Sequence, residues 1–120
     1  MMALTIKQPW AWAIVHRGKR IENRTWRTRY RGPIWIHASA ALPLAYYEGT
    51  RARMAELGVD VPPREALALG SIVGRARLVD VVEESDSPWF CGPFGWVLED
   101  VEPVTEVRCR GALGLWMPPP

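Results

Sequence analysis

Hydrophobic and polar positions alternate over Leu4–Lys7, where β-branched Thr5 and Ile6 add strand preference, so a first strand is predicted over about residues 3–7. Pro9 stands where a first helical residue loses nothing by lacking an N–H. Trp10, Ala13, Ile14 and, more loosely, Arg17 then form one helical face, and Gly18 supplies the backbone freedom that ends a helix over 9–17. Residues 20–25 read as a short extended segment, and Arg27 to Arg31 as a basic turn broken by Gly32-Pro33. Ile34 to Ala38 is apolar on both faces apart from His37 and reads as a buried strand.

A second helix is predicted from Pro43 to Leu57, with Leu44, Tyr47, Met54 and Leu57 on one side and Gly58 closing it. Its expected role is a cover packed on a sheet. Residues 59–69 read as a loop with one helical turn after Pro63. From Gly70 the pattern becomes continuous or period two, giving strands over Gly70–Val82, Phe94–Leu98, Val101–Arg108 and Leu113–Met117. Gly74 inside the first of these suggests a bulge or a barrel corner. Short strands without βαβ alternation, and two helices near the front, predict an α+β, mainly β architecture. A small closed or nearly closed barrel flanked by two helices fits best.

The chain has 120 residues, 48% of them hydrophobic, so one folded domain over 1–120 is expected. No stretch of about eighteen apolar residues and no leader pattern occur, which predicts a cytoplasmic protein without a membrane partner. Cys91 and Cys109 read as free thiols. With His16 and His37 they lack metal-ligand spacing, so no metal or cofactor is expected. No feature of the chain selects an oligomeric state.

Charge changes the picture more. Residues 1–31 carry eight Lys/Arg and one acid, Glu22, whereas eight acids and no cation fall between residues 78 and 107. A basic cleft for an anion is one reading; the other is that the two segments face each other and neutralise. Within the basic stretch, Gly18, Lys19, Glu22 and Arg24 form a glycine–lysine pair with glutamate three residues on and arginine two further. Ile6-Lys7-Gln8-Pro9-Trp10-Ala11 precedes this cluster, and GPFGWVLEDV and GALGLW follow near the end. Together these segments resemble the ASCH family, relatives of the PUA RNA-binding domain, over most of the chain. Arg17 stands where many members carry the glycine. The resemblance implies the same barrel and work linked to nucleic acid, RNA favoured, or to a modified nucleoside.

Candidate ligand-binding residues are Lys7, Trp10, Lys19, Glu22, Asn23, Arg24, Trp26 and Arg27. Lys7 and Lys19 are the only lysines beside thirteen arginines, and a lysine is a compact charge suited to phosphate contact or catalysis. Lys7 reads equally as a strand-end charge reaching solvent. Glu22 either holds the turn by accepting hydrogen bonds from Lys19 and Arg24, or reads an amine of a base. Asn23 contacts a base or ties down the turn. Arg24, Arg27, Arg29 and Arg31 alternate, as phosphate contacts or as a solvated edge.

Among seven tryptophans, Trp35, Trp96 and Trp116 lie in apolar runs and are expected in the core. Trp26 and Trp89 are the favoured stacking candidates. Were the chain an enzyme, Lys19 and Glu22 would be its catalytic residues, by resemblance to ribonucleases or to amidohydrolases acting on acylated cytidine. Those amidohydrolases carry threonine where Glu22 stands, and Glu83 and Glu84 are the candidates for their second glutamate. Ser39 and Ser71 lack a placed histidine, and no nucleophile elbow occurs. A protein-interaction domain using the acidic segment is the third reading.

Overall fold

The computed structural model describes residues 1–120. Its elements are β1 (Met2–Ile6), α1 (Trp10–His16), β2 (Ile21–Arg24), β3 (Gly32–Ala38), α2 (Leu44–Glu56), β4 (Ser71–Val82), β5 (Phe94–Arg108) and β6 (Leu115–Trp116). A single 3₁₀ turn, Arg64–Ala66, interrupts the loop after α2. The strands form one six-stranded sheet in the order β2-β5-β4-β3-β1-β6, curled into a half-barrel with β2 and β6 as its edges. β1 and β3 run parallel and every other pair is antiparallel. No helix is long and apolar enough to cross a membrane.

Two predicted strands are one. Phe94–Leu98 and Val101–Arg108 join as β5, because Asp100 takes a left-handed conformation (φ 51°) and the pairing with β4 slips there instead of ending. The segment predicted over Leu113–Met117 pairs only at Leu115 and Trp116, with Leu113 left almost fully exposed.

The inner face of the curl buries Leu4, Ile6, Ile34, Ile36, Leu78 and Trp96 against Ala11 and Ile14 of α1. Each such aliphatic side chain contributes about 1.5–3 kcal/mol by leaving water. α1 approaches β4 closely at Gly74, where an added Cβ would lie 2.6 Å from Val15 Cγ2 and 3.0 Å from the Glu102 carbonyl oxygen. A second cluster, with Leu42, Tyr47, Met54, Val61 and Leu67, fixes α2 beside Ala13. Leu44 and Leu57, expected on the buried side of α2, are exposed, and Trp35 and Trp116 are only half-buried.

Both ends of α1 are tied by side chains. Gln8, almost fully buried, accepts from the Trp12 N–H (2.9 Å) and donates to the Ala68 carbonyl (2.9 Å). At the other end Gly18 turns the chain at φ +70°, and the Lys19 N–H donates back to Ala13 (3.2 Å). Arg20 Nη1 donates to the Ile14 carbonyl (2.9 Å), satisfying an otherwise orphaned helix-end acceptor. This turn hands Lys19 and the start of β2 to the open side of the half-barrel.

Candidate functional site

A cavity of about 760 Å³ opens between the end of β1, the start of α1, β2, one face of α2, and the segments around Trp89 and Leu113. That volume is within the range of small-ligand sites, roughly 300–1,000 Å³. Its wall carries four cations, Lys7, Lys19, Arg24 and Arg53, against one carboxylate, Glu22. The hollow is therefore positively polarised.

The inner part of the wall is a charged relay. Lys19 is 2% exposed, and its Nζ donates to the Ile21 carbonyl and to Glu22 Oε1 at 3.1 Å. Glu22 Oε2 meets Arg24 Nη2 at 3.2 Å, and the same Nη2 donates to the Thr5 carbonyl at 2.8 Å. Strand alternation explains the grouping: Glu22 and Arg24 are two apart on β2 and share a face. β6 pairs only with Ala3 and Leu4, leaving the Thr5 carbonyl to the arginine, which thus ties edge strand β2 back to β1. Removing such charges from water costs several kcal/mol per ion, offset here by mutual pairing and carbonyl acceptors. Two buried polar atoms have no partner, Arg24 Nε and Ser39 Oγ, and both residues line the cavity.

Aromatic rings form the rest of the enclosure. Lys19 Nζ sits 5.5 Å from the centre of the Trp10 ring, and Trp10 Nε1 donates to the Tyr46 hydroxyl (2.9 Å). Trp89 closes another side, held by Asn23. Asn23 Nδ2 donates to the Trp89 carbonyl (2.9 Å), and Oδ1 accepts from the N–H groups of Cys91 (2.9 Å) and Gly92 (3.1 Å). Both ends of this amide are thus occupied in clamping the distant 87–92 loop, not the turn beside it.

Of the sequence candidates, Lys7, Trp10, Lys19, Glu22, Asn23 and Arg24 line the cavity together, as does Trp89. Trp26 and Arg27 do not. Trp26 packs edge-on against buried Trp96, with ring centres 4.7 Å apart, because the core takes its ring before any ligand could. Arg27 lies on the surface 3.6 Å from Glu83, and Arg31 reaches Asp80 at 3.9 Å. Part of the basic turn is therefore drawn toward Asp80 near the end of β4 and Glu83 just after it, as opposite charge favours. Glu83 and Glu84 are exposed outside the cavity, so neither supplies it with a second carboxylate.

Sequence reasoning missed Tyr46 and Arg53. The signal was present: Tyr46, Thr50, Arg53 and Leu57 fall at i, i+4, i+7 and i+11 on α2, a second helical stripe on what reads as a plain cover.

The family model described as ASCH domain matches residues 4–107. Activating signal cointegrator 1 of Homo sapiens is 32% identical over 101 residues, covering 72% of this chain and 17% of that protein. Its counterpart in Mus musculus is 32% identical over 89 residues, covering 68% of this chain and 14% of the mouse protein. The chain spans less than a fifth of the length of these relatives. With the match extending over most of its length, the chain belongs to the ASCH domain family.

Proposed function

We propose that the cavity receives one base of a nucleic-acid strand or a modified nucleoside, RNA favoured through the family's kinship with PUA domains. The carrying observation is Glu22, the lone carboxylate beside four cations in the cavity wall. With Lys19 and Arg24 each on one oxygen, it has lone pairs left for an exocyclic amine or ring N–H. Trp10, Tyr46 and Trp89 supply ring faces, and base stacking on such rings contributes about 1–3 kcal/mol per base. The cations favour the polyanion to which a base is attached.

The test is a thermal-shift and titration panel of nucleosides, modified nucleosides and single- and double-stranded oligonucleotides at two salt concentrations. Ligand should raise the melting temperature, and Lys19→Ala should abolish the effect. No binding by any member of the panel defeats the proposal.

One observation favours a second reading. Lys19 and Glu22 lie in contact in the cavity wall, the arrangement of a proton donor beside an acceptor. Hydrolysis of RNA, or less readily of acylated cytidine, would then follow binding. Both oxygens of Glu22 are already paired with cations, and the cavity holds no second carboxylate, so binding is preferred. Turnover of labelled RNA or acylcytidine that Lys19→Ala loses would reverse the preference.

A further inference from the structure

We infer that Lys7 and Arg53 at the rim of the cavity engage phosphates on either side of the bound nucleotide, so that the site selects a nucleotide within a strand over a free nucleoside. The inference deepens the reading of the cavity as a base pocket and rests on it.

The four cations of the cavity are of two kinds. Lys19 and Arg24 are inside, committed to Glu22 and to backbone carbonyls. Lys7 and Arg53 are exposed, and neither comes within 4.0 Å of a carboxylate or donates to any protein acceptor. On the outer surface Arg27, Arg31, Arg75 and Arg77 each face an acid, Glu83, Asp80, Glu102 and Asp100, while Arg29, Arg51, Arg108 and Arg110 are exposed without one. Lys7 and Arg53 differ from these in lining the cavity. At the mouth the positive field is left open, in a hollow whose only acid is already doubly paired.

The two rim cations are also set apart. Lys7 Nζ lies 5.1 Å from the centre of the Tyr46 ring. Arg53 is seven residues beyond Tyr46 on the same helix, a rise of about 10 Å. α2 therefore runs along the mouth with one positive group near its first turn and another near its last. A single phosphate suits one such point. A strand laid along α2 meets both, placing one phosphate near Lys7, the next near Arg53, and the intervening base toward Trp10 and Glu22. Everting that base costs least in single-stranded nucleic acid, where no pairing is lost. Lysine and arginine also suit their places: Lys7 as a mobile point charge over a ring face, Arg53 as a planar fork for phosphate oxygens.

The simpler role for Arg53 is to complement the negative end of the α2 dipole. That role predicts a change in stability on substitution and no change in ligand electrostatics.

The experiment measures affinity by calorimetric titration for single-stranded RNA homopentanucleotides of the four bases and for the matching free nucleosides, across a salt series. Lys7→Gln and Arg53→Gln are compared with the unaltered chain. For the best-bound base, the pentanucleotide should bind at least tenfold more tightly than its nucleoside. Each substitution should lower the slope of log affinity against log salt by about 0.7, one phosphate contact on a single strand. Nucleoside affinity should stay within twofold in both variants. Replacing the phosphodiesters flanking the central base with neutral methylphosphonates should return the pentanucleotide to nucleoside affinity. DNA homopentanucleotides run alongside report whether the sugar matters, since the phosphates are common to both.

Unchanged salt slopes in both variants, or full binding of the methylphosphonate strand, overturn the inference. So does a nucleoside bound as tightly as the pentanucleotide, and that result leaves the base pocket standing. If neither nucleoside nor pentanucleotide binds, the base-pocket reading falls and takes this inference with it.

Discussion

Lys19 Nζ and Glu22 Oε1 stand 3.1 Å apart, both residues largely sealed from water, in the wall of a cavity large enough to enclose a small ligand. Such a pair is more exposed to damage than to improvement, because losing one member leaves the other's charge uncompensated. Glu22→Ala strands two cations, Lys19 and Arg24, and should cost about 3 kcal/mol. Lys19→Ala leaves Glu22 still held by Arg24 and should cost less, about 1–2 kcal/mol. Urea unfolding of the two variants checks the ranking; equal or reversed losses would mean the arginine does not share the carboxylate.

Asn23 acts through the loop it clamps. Asn23→Ala removes three hydrogen bonds to the 87–92 segment and should cost about 2 kcal/mol. Asn23→Asp keeps an acceptor for the Cys91 and Gly92 N–H groups and loses the donor to the Trp89 carbonyl. An intermediate loss is expected in thermal melts, with faster amide exchange at Cys91 and Gly92 only in the alanine variant.

Trp26 and Trp89 should separate cleanly. Trp26→Ala opens a gap against Trp96 and should lower stability by about 3 kcal/mol or more. Trp89→Ala, whose half-buried ring only flanks the second cluster, should cost less stability than that and weaken binding of the best single-stranded oligonucleotide by about 1–3 kcal/mol, the worth of one stacked base. Paired unfolding and binding measurements on both variants decide it.

The segment carrying Ala112 and Leu113 past the cavity is held by a directional chain. Trp116 Nε1 donates to Thr5 Oγ1 (3.0 Å), and buried His37 Nε2 faces the Cys109 carbonyl at 2.8 Å. A carbonyl can only accept, so Nε2 bears the proton and Nδ1 accepts from Thr5 Oγ1 at 3.2 Å. Gly111 crosses directly above: a Cβ there would lie 2.7 Å from Thr5 Oγ1 and 2.8 Å from His37 Cε1. Gly111→Ala should therefore cost about 1–3 kcal/mol and loosen this wall of the cavity. Gly114→Ala meets no atom within 4 Å and should cost about 1–2 kcal/mol, for its φ of +66° alone. Amide exchange at Leu115 and Trp116 distinguishes the two, rising in the first.

Much of this was legible in the chain. Period-two runs gave β4, and the Pro9-to-Gly18 punctuation gave α1, because both depend on local backbone chemistry and one buried face. The pairing of Lys19 with Glu22 also followed from close spacing and charge. What was hidden depended on distant partners. Trp26 reads as a ring beside a polar motif until Trp96, seventy residues on, is seen packed against it. Whether Arg27 and Arg31 face an anion or the chain's own acids stays open until the end of β4 and the loop after it bring Asp80 and Glu83 alongside. The reach of Tyr46 and Arg53 into the cavity required knowing that α2 covers two surfaces at once, a core below and a hollow at its side.

The most direct test uses the indole N–H signals of the seven tryptophans as reporters in a ¹H–¹⁵N spectrum, titrated with the best-bound single-stranded oligonucleotide. Trp10 and Trp89 should shift progressively with ligand while Trp12 and Trp35, outside the cavity, hold their positions. Shifts at Trp12 or Trp35 with Trp10 and Trp89 unmoved would place the ligand elsewhere and refute the base pocket.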